Sequence, residues 1–256
     1  TTGVAYSLRQ LNSNITSVVR IRRSSDNSES NFTANQITDG TLLTFCGLGS
    51  GFVTTWYDQS GNDAHATRAV ASSQPSLVVN GFVNLENGKP AIVFDGANDL
   101  LSFNGEVLNK VSFLSFAVVK NDKTSGVGRI FDQSNVNGGA LVFDTSGNLD
   151  TVFGVTNSGN LNIDIAPVTT AYSLQVGQIL SGNSKLRNNG VSKGINVNTF
   201  TMSGNTGIPF VIGDNSPPAG AQAFKGTIQE IVIYTTDNNS NISEIETQIN
   251  NYYSIY

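Results

Sequence analysis

A single cysteine, Cys46, rules out any disulfide within the chain, and a single histidine, His65, is the one imidazole a catalytic thiol could take as its base, with no metal-ligand spacing around it. Charge is scarce too. Charged residues make up 13% and the net charge is −5, so there is no basic footprint for nucleic acid. No apolar run reaches membrane-spanning length. The opening residues carry neither a basic segment nor a long apolar stretch, so no signal peptide is expected within the sequence as it stands. Cys46 falls in residues 42–46, which read as a buried strand, with the thiol as a small core hydrophobe.

What fills the space is Asn, Ser, Thr and Gly, a mixture that disfavours helices and supplies turns. It suits an extracellular or virion-surface β protein. Residues 18–22 alternate as a strand, with Arg20, Arg22 and Arg23 expected to meet acidic neighbours such as Asp26 and Glu29. Further strands are expected at 51–57, 91–94, 112–119, 140–143, 151–155, 208–212 and 227–234, each bounded by turn residues. The stretch 112–119 is apolar at nearly every position and reads as a central strand. In 227–234 strict alternation puts Ile228 with Glu230, Val232 and Tyr234, and Ile231 with Ile233 on the other face.

Two helices are expected. One spans residues 5–11, where Ala5, Leu8 and Leu11 recur at helical spacing. The other closes the chain, with Ser243 and Glu246 as a capping box and Ile242, Ile245, Ile249 and Tyr252 as its apolar stripe. Many short strands and no linker or fixed-period repeat predict one all-β domain over residues 1–256. Its form is a sandwich or barrel closed by a short C-terminal helix.

At Tyr57-Asp58-Gln59-Ser60-Gly61-Asn62, followed by His65-Ala66-Thr67, the sequence resembles the catalytic domain of the α-L-arabinofuranosidase B family, glycoside hydrolase family 54. The opening segment, Arg23-Ser24-Ser25-Asp26, Asn87-Gly88-Lys89-Pro90-Ala91 and Ile212-Gly213-Asp214-Asn215-Ser216 follow that family in order. The same motifs resemble concanavalin A-like domains of phage tail and virion proteins. The resemblance implies an all-β, concanavalin A-like two-sheet jelly-roll sandwich with the short C-terminal helix, and it places Asp214 on the family's acid/base aspartate.

A retaining glycosidase needs a second carboxylate about 5–5.5 Å away. The resemblance sets Phe143-Asp144-Thr145-Ser146-Gly147 on the nucleophile strand, with Asp144 matching an aspartate, Ser146 in place of the nucleophilic glutamate and Gly147 in place of an asparagine that contacts substrate. No glutamate lies between Glu106 and Glu230, and Asp132, Asp144 and Asp150 are candidate carboxylates for that role. The family's adjacent cysteine pair has no counterpart. Gly213, Asp214, Asn215 and Asp144 are the expected carbohydrate contacts, although Asp214-Asn215 and the 144–147 stretch also read as turns.

Asp58 and Asn62 could ligate calcium, but more simply they fold the loop after the Trp56 strand. Of Trp56 and Tyr57, one is expected in the core and the other outward. The function expected is a carbohydrate-recognition or surface-display module, extracellular or on a virion. Its partners would be a glycan or cell-surface receptor, with virion or cell-surface proteins as further partners. A structural protein without sugar binding and a hydrolase using Asp214 are the alternatives.

Overall fold

The computed structural model describes residues 2–108, 112–133, 139–144, 150–155, 171–197, 199, 207–216, 218, 220, 222–235 and 239–256. In chain order the strands are β1 (Thr2–Ser7), β2 (Val19–Arg23), β3 (Glu29–Phe32), β4 (Gly51–Trp56), β5 (Ala66–Thr67), β6 (Ser76–Val79), β7 (Phe82–Val83), β8 (Leu85–Glu86), β9 (Lys89–Pro90) and β10 (Ile92–Asp95). They continue with β11 (Leu101–Phe103), β12 (Ser112–Asn121), β13 (Val127–Gln133), β14 (Gly139–Asp144), β15 (Asp150–Val155), β16 (Ser173–Leu180), β17 (Ser184–Asn188), β18 (Val191–Asn196), β19 (Phe210–Ile212) and β20 (Lys225–Tyr234). The helices are α1 (Ala34–Thr38), α2 (Thr41–Cys46) and α3 (Ile242–Tyr253).

The strands form two antiparallel layers. One runs β18-β17-β16-β12-β20, after which β1 and β10 share the far edge of β20 and β10 leads to β6 and β7. The other runs β3-β2-β4-β5-β11-β19-β13-β14-β15. Strand β6 also pairs with β4 and ties the layers at one corner. Between them lies the main core, with Trp56, Tyr6, Phe113, Phe131, Phe210 and Ile231 among its fully buried members. A second apolar layer forms on the outer face of β12 and β16, where Leu114, Phe116, Val118, Leu174 and Val176 meet Ile242, Ile249 and Tyr253 of α3. This is why β12 carries apolar residues on both faces: Phe113, Ala117 and Val119 face the sandwich interior, and Leu114, Phe116 and Val118 face the helix.

Four expectations are corrected. Residues 5–11 are not a helix. Val4, Tyr6 and Leu8 alternate into the core, and residues 2–7 form β1 along β20. The segment beyond β1 is held by a side chain instead of by helical bonds, because Gln59 accepts from the Leu11 amide at 2.7 Å and donates to the carbonyls of Ser7 and Arg9 at 3.0 Å. Residues 42–46 form helix α2, not a strand. Gly40 at φ 96° starts it, and Leu42 and Cys46, four apart, bury one face.

The terminal helix has Asn241 as its N-cap after a short 3₁₀ turn, with no capping hydrogen bond from a side chain. Glu246 is instead buried in a two-pronged pair with Arg187 of β17 at 2.8 and 2.7 Å. Finally, a bulge at Gln229 interrupts the alternation of β20, so Ile228 joins Ile231 and Ile233 in the core while Glu230 faces α3. The basic strand behaves as read, with Arg20 on Glu29 at 2.7 Å and Arg23 on Asp26 at 2.6 Å.

Helix α3 closes over a buried carboxylate. Glu230 accepts from Arg9 Nε at 2.7 Å, Arg9 Nη2 at 2.8 Å, Ser7 Oγ at 2.8 Å and the Tyr253 hydroxyl at 3.1 Å. Arg9 also packs over the rings of Tyr252 and Tyr253. Removing the cation strands a charge in the interior, so Arg9→Met is expected to cost about 3 kcal/mol. The double variant Arg9→Met/Glu230→Leu is expected to recover part of that. Urea denaturation of the two variants checks this, and a single-variant cost under about 1 kcal/mol, the scale of an exposed pair, contradicts it.

Candidate functional site

Strand β19 delivers the loop 213–222 to the end of the second sheet where β13 begins and β14 ends. Gly213 turns the chain at φ 90°, and a Cβ there would lie 2.5 Å from the Phe94 ring and 2.9 Å from the Asp99 carbonyl oxygen, so only glycine fits. Its amide donates to the Ile130 carbonyl at 3.0 Å and its carbonyl accepts from Phe224 at 2.8 Å. Asp214 follows, 1% exposed. Its Oδ1 accepts the Asn215 amide at 2.8 Å and its Oδ2 the Gly220 amide at 2.9 Å. The carboxylate therefore closes its own loop.

Asp132 of β13 does the same one residue further on. It is equally buried, and its Oδ2 accepts the Ser216 amide at 2.8 Å and pairs with Arg129 at 2.9 Å. Arg129 in turn holds the loop's far end, its Nε bonded to the Gln222 side chain and its amide to the Gln222 carbonyl. Lys123 donates to the Ala223 carbonyl at 2.7 Å, and burial lowers its pKa against the opposing charge of Asp214. Beneath Gly213, the Asp99 carboxyl is pushed up to about 6, first by burial and then by the charge of Asp95.

Of the expected contacts, Gly213, Asp214 and half-buried Asn215 are contiguous in this loop. Asp144 ends β14, paired with Val127 of β13 and Asp150 of β15, so the topology brings it to the same end of the sheet. Ser146 and Gly147 lie outside the described residues. Asp132 was in view only as a candidate nucleophile, and Arg129, Lys123 and Asp99 were not singled out. Arg129 and Asp132 stand three apart, a spacing that strict alternation sends to opposite faces. A bulge at Ile130 returns them to one face.

The motif at 57–65 builds a different loop. The Asp58 carboxylate is fully buried and accepts from the amides of Ala5, Ser60 and Ala64 at 2.8, 3.0 and 3.2 Å and from Ser60 Oγ at 2.6 Å. Asn62 is exposed and donates to the Gly3 carbonyl. His65 accepts the Asp58 amide at Nδ1 and meets the Tyr57 ring edge-on. Trp56 is in the core, and half-buried Tyr57 donates outward to Asn31 at 2.9 Å. Among the described residues no group of three or more His, Cys, Asp or Glu side chains is placed to hold a metal ion, and no helix is long and apolar enough to cross a membrane.

No family model and no curated protein matches the chain. Solved structures do. An arabinofuranosidase complexed with arabinofuranosyl-α-1,2-xylobiose superposes with a TM-score of 0.66 at 15% identity, over 96% of this chain and 62% of that one. A family 54 α-L-arabinofuranosidase soaked with a cyclic sulfate inhibitor gives 0.64 at 16% identity with the same coverage. Domain 4 of an extracellular family 43 arabinanase from Geobacillus stearothermophilus, in complex with arabinotriose, gives 0.51 at 20% identity over 62% of this chain and 77% of that domain. This chain thus spans under two thirds of the arabinofuranosidase chains it matches. At these identities the likeness establishes the concanavalin A-like sandwich.

Two measurements test the loop. Gly213→Ala is expected to destabilise by more than 2 kcal/mol, roughly the cost of backbone strain plus a forced contact, and Gly220→Ala by about 1 kcal/mol, since its nearest neighbour is at 3.5 Å. Equal losses in thermal unfolding contradict that reading. Asp99 holds its proton more firmly folded than unfolded. Its contribution is complete below about pH 4 and is lost as pH rises through about 6. Asp99→Asn is therefore expected to gain stability over the native chain as pH climbs from 4 to 7, and a difference that stays constant with pH sinks the assignment.

Proposed function

We propose that the chain is a carbohydrate-recognition module without glycosidase chemistry, reading arabinose-bearing glycans. The observation that carries this is the state of Asp214. Its carboxylate is 1% exposed and each oxygen accepts a loop amide, within a fold that arabinofuranosidases share over 96% of the chain. A general acid must reach the leaving oxygen and pass it a proton, and a buried oxygen already engaged by an amide is poorly placed for both. The position that the resemblance assigns to the nucleophile holds Ser146. In this reading Gly213 and Asp214 shape the loop, and Asn215 and Asp144 flank the bound sugar. Display outside the cell or on a virion, against a glycan or cell-surface receptor, belongs to the same proposal and draws on the Asn-, Ser-, Thr- and Gly-rich, sparsely charged composition.

The test pairs a glycan array, including arabinotriose and arabinosylated xylobiose, with a hydrolysis assay on 4-nitrophenyl α-L-arabinofuranoside. Binding without release of nitrophenol is expected, with Asn215→Ala weakening affinity about tenfold, the equivalent of one good hydrogen bond. Nitrophenol release that disappears in Asp214→Asn would restore the hydrolase reading. An array without any ligand would leave a structural or display role.

A further inference from the structure

Between helix α3 and the outer face of β1 and β20 lies a cavity of about 480 Å³. Val232, Ile245 and Ile249 form an apolar wall, and Arg9, Tyr234 and Gln248 supply polar groups around it. Arg9 gives Nε and Nη2 to Glu230, while neither its Nη1 nor the Tyr234 hydroxyl has a hydrogen-bond partner among the described residues. Burial, and then the charge of Glu230, raise the Tyr234 pKa, so at neutral pH the hydroxyl is a donor.

The chemistry of this lining selects its ligand. A purely apolar guest would leave the Arg9 and Tyr234 donors desolvated and unpaired. A carboxylate would enter a site whose cation is already matched by Glu230, and its own desolvation would go uncompensated. A neutral ring with hydroxyls on its edge and C–H groups on its face satisfies both walls. The volume falls at the lower end of the roughly 300–1,000 Å³ typical of small-ligand pockets and suits a single sugar ring. We propose that the cavity under α3 is a second binding site, for one neutral monosaccharide unit, with Arg9 and Tyr234 donating to its hydroxyls and Val232, Ile245 and Ile249 packing on its face. It shares no residue with the Asp214 loop and does not depend on the reading of that loop.

The test follows the methyl resonances of Val232, Ile245 and Ile249 while the intact chain is titrated with L-arabinose, D-galactose and D-glucose. Galacturonate serves as the charged arm and indole as the apolar arm. At least one neutral sugar is expected to shift these methyls saturably. Tyr234→Phe, which removes only the hydroxyl, is expected to weaken it about three- to tenfold. Ile245→Trp should fill the cavity and abolish the shift, and Asn215→Ala should leave it unchanged. Gln248→Ala, on the exposed side of the helix, is expected to weaken binding without touching the core and covers the case in which Ile245→Trp does not fold. Methyls unmoved by every neutral sugar at about 50 mM, far above the millimolar range of weak single-site binding, would overturn the proposal, as would tighter binding of galacturonate or indole.

Discussion

Burying the Glu230 carboxylate sets the terms for both ends of the chain. A carboxylate at 1% exposure survives only where donors replace its water. Its donors come from separate places: Ser7 on the first strand, Arg9 just beyond it, and Tyr253 near the end of the last helix. Satisfying them fixes β1 in register on β20 and sets the height at which α3 crosses the sheet. The Arg187–Glu246 pair clamps the other end of the helix to β17. The N-terminal strand and the C-terminal helix are consequently one structural unit, and the space left between them is the polar-floored cavity.

Bulges decide which residues can collaborate. The extra residue at Gln229 turns Ile228 inward, and the Gln229 side chain donates from Nε2 to the carbonyls of Glu86, Lys89 and Pro90, which anchors the β8–β9 hairpin. The bulge at Ile130 aims Arg129 and Asp132 together at the loop 213–222. Both irregularities sit beside the regions to which a binding role is assigned, where a departure from strict alternation re-aims a side chain.

The same irregularities account for what could be read in advance. Strands with one buried face or two, such as β2 and β12, announce themselves through alternation or continuous apolarity, and the all-β class followed from them. The segment 5–11 misled because Ala5, Leu8 and Leu11 mimic helical spacing, while the alternation of Val4, Tyr6 and Leu8 and the hydrogen bonds from Gln59 decide the matter. Ser243 and Glu246 match a capping box, but Glu246 gains more from a two-pronged arginine than from a free amide. Gly213, Asp214 and Asn215 were legible as a turn and as a motif. That Asp214 spends both oxygens inside the loop depends on the Gly220 amide six residues on, which no local pattern displays.

Under the proposed function, the loop's architecture accounts for recognition without glycosidase chemistry. For Asp214 to protonate a glycosidic oxygen it would have to give up the Gly220 amide, and that amide helps hold the loop closed over β13. Opening would also disturb the Ser216 contact to Asp132 and the hold of Arg129 on Gln222, since all belong to one segment. The carboxylates therefore act as fixed anchors for backbone amides, a role that rewards rigidity, whereas acid–base catalysis needs a lone pair directed at substrate. With its amide held by Asp214, Asn215 enters the proposed contact already positioned, which lowers the entropy lost on meeting a ligand. Under the proposed function, recognition gains from the same contacts that keep Asp214 from a leaving oxygen.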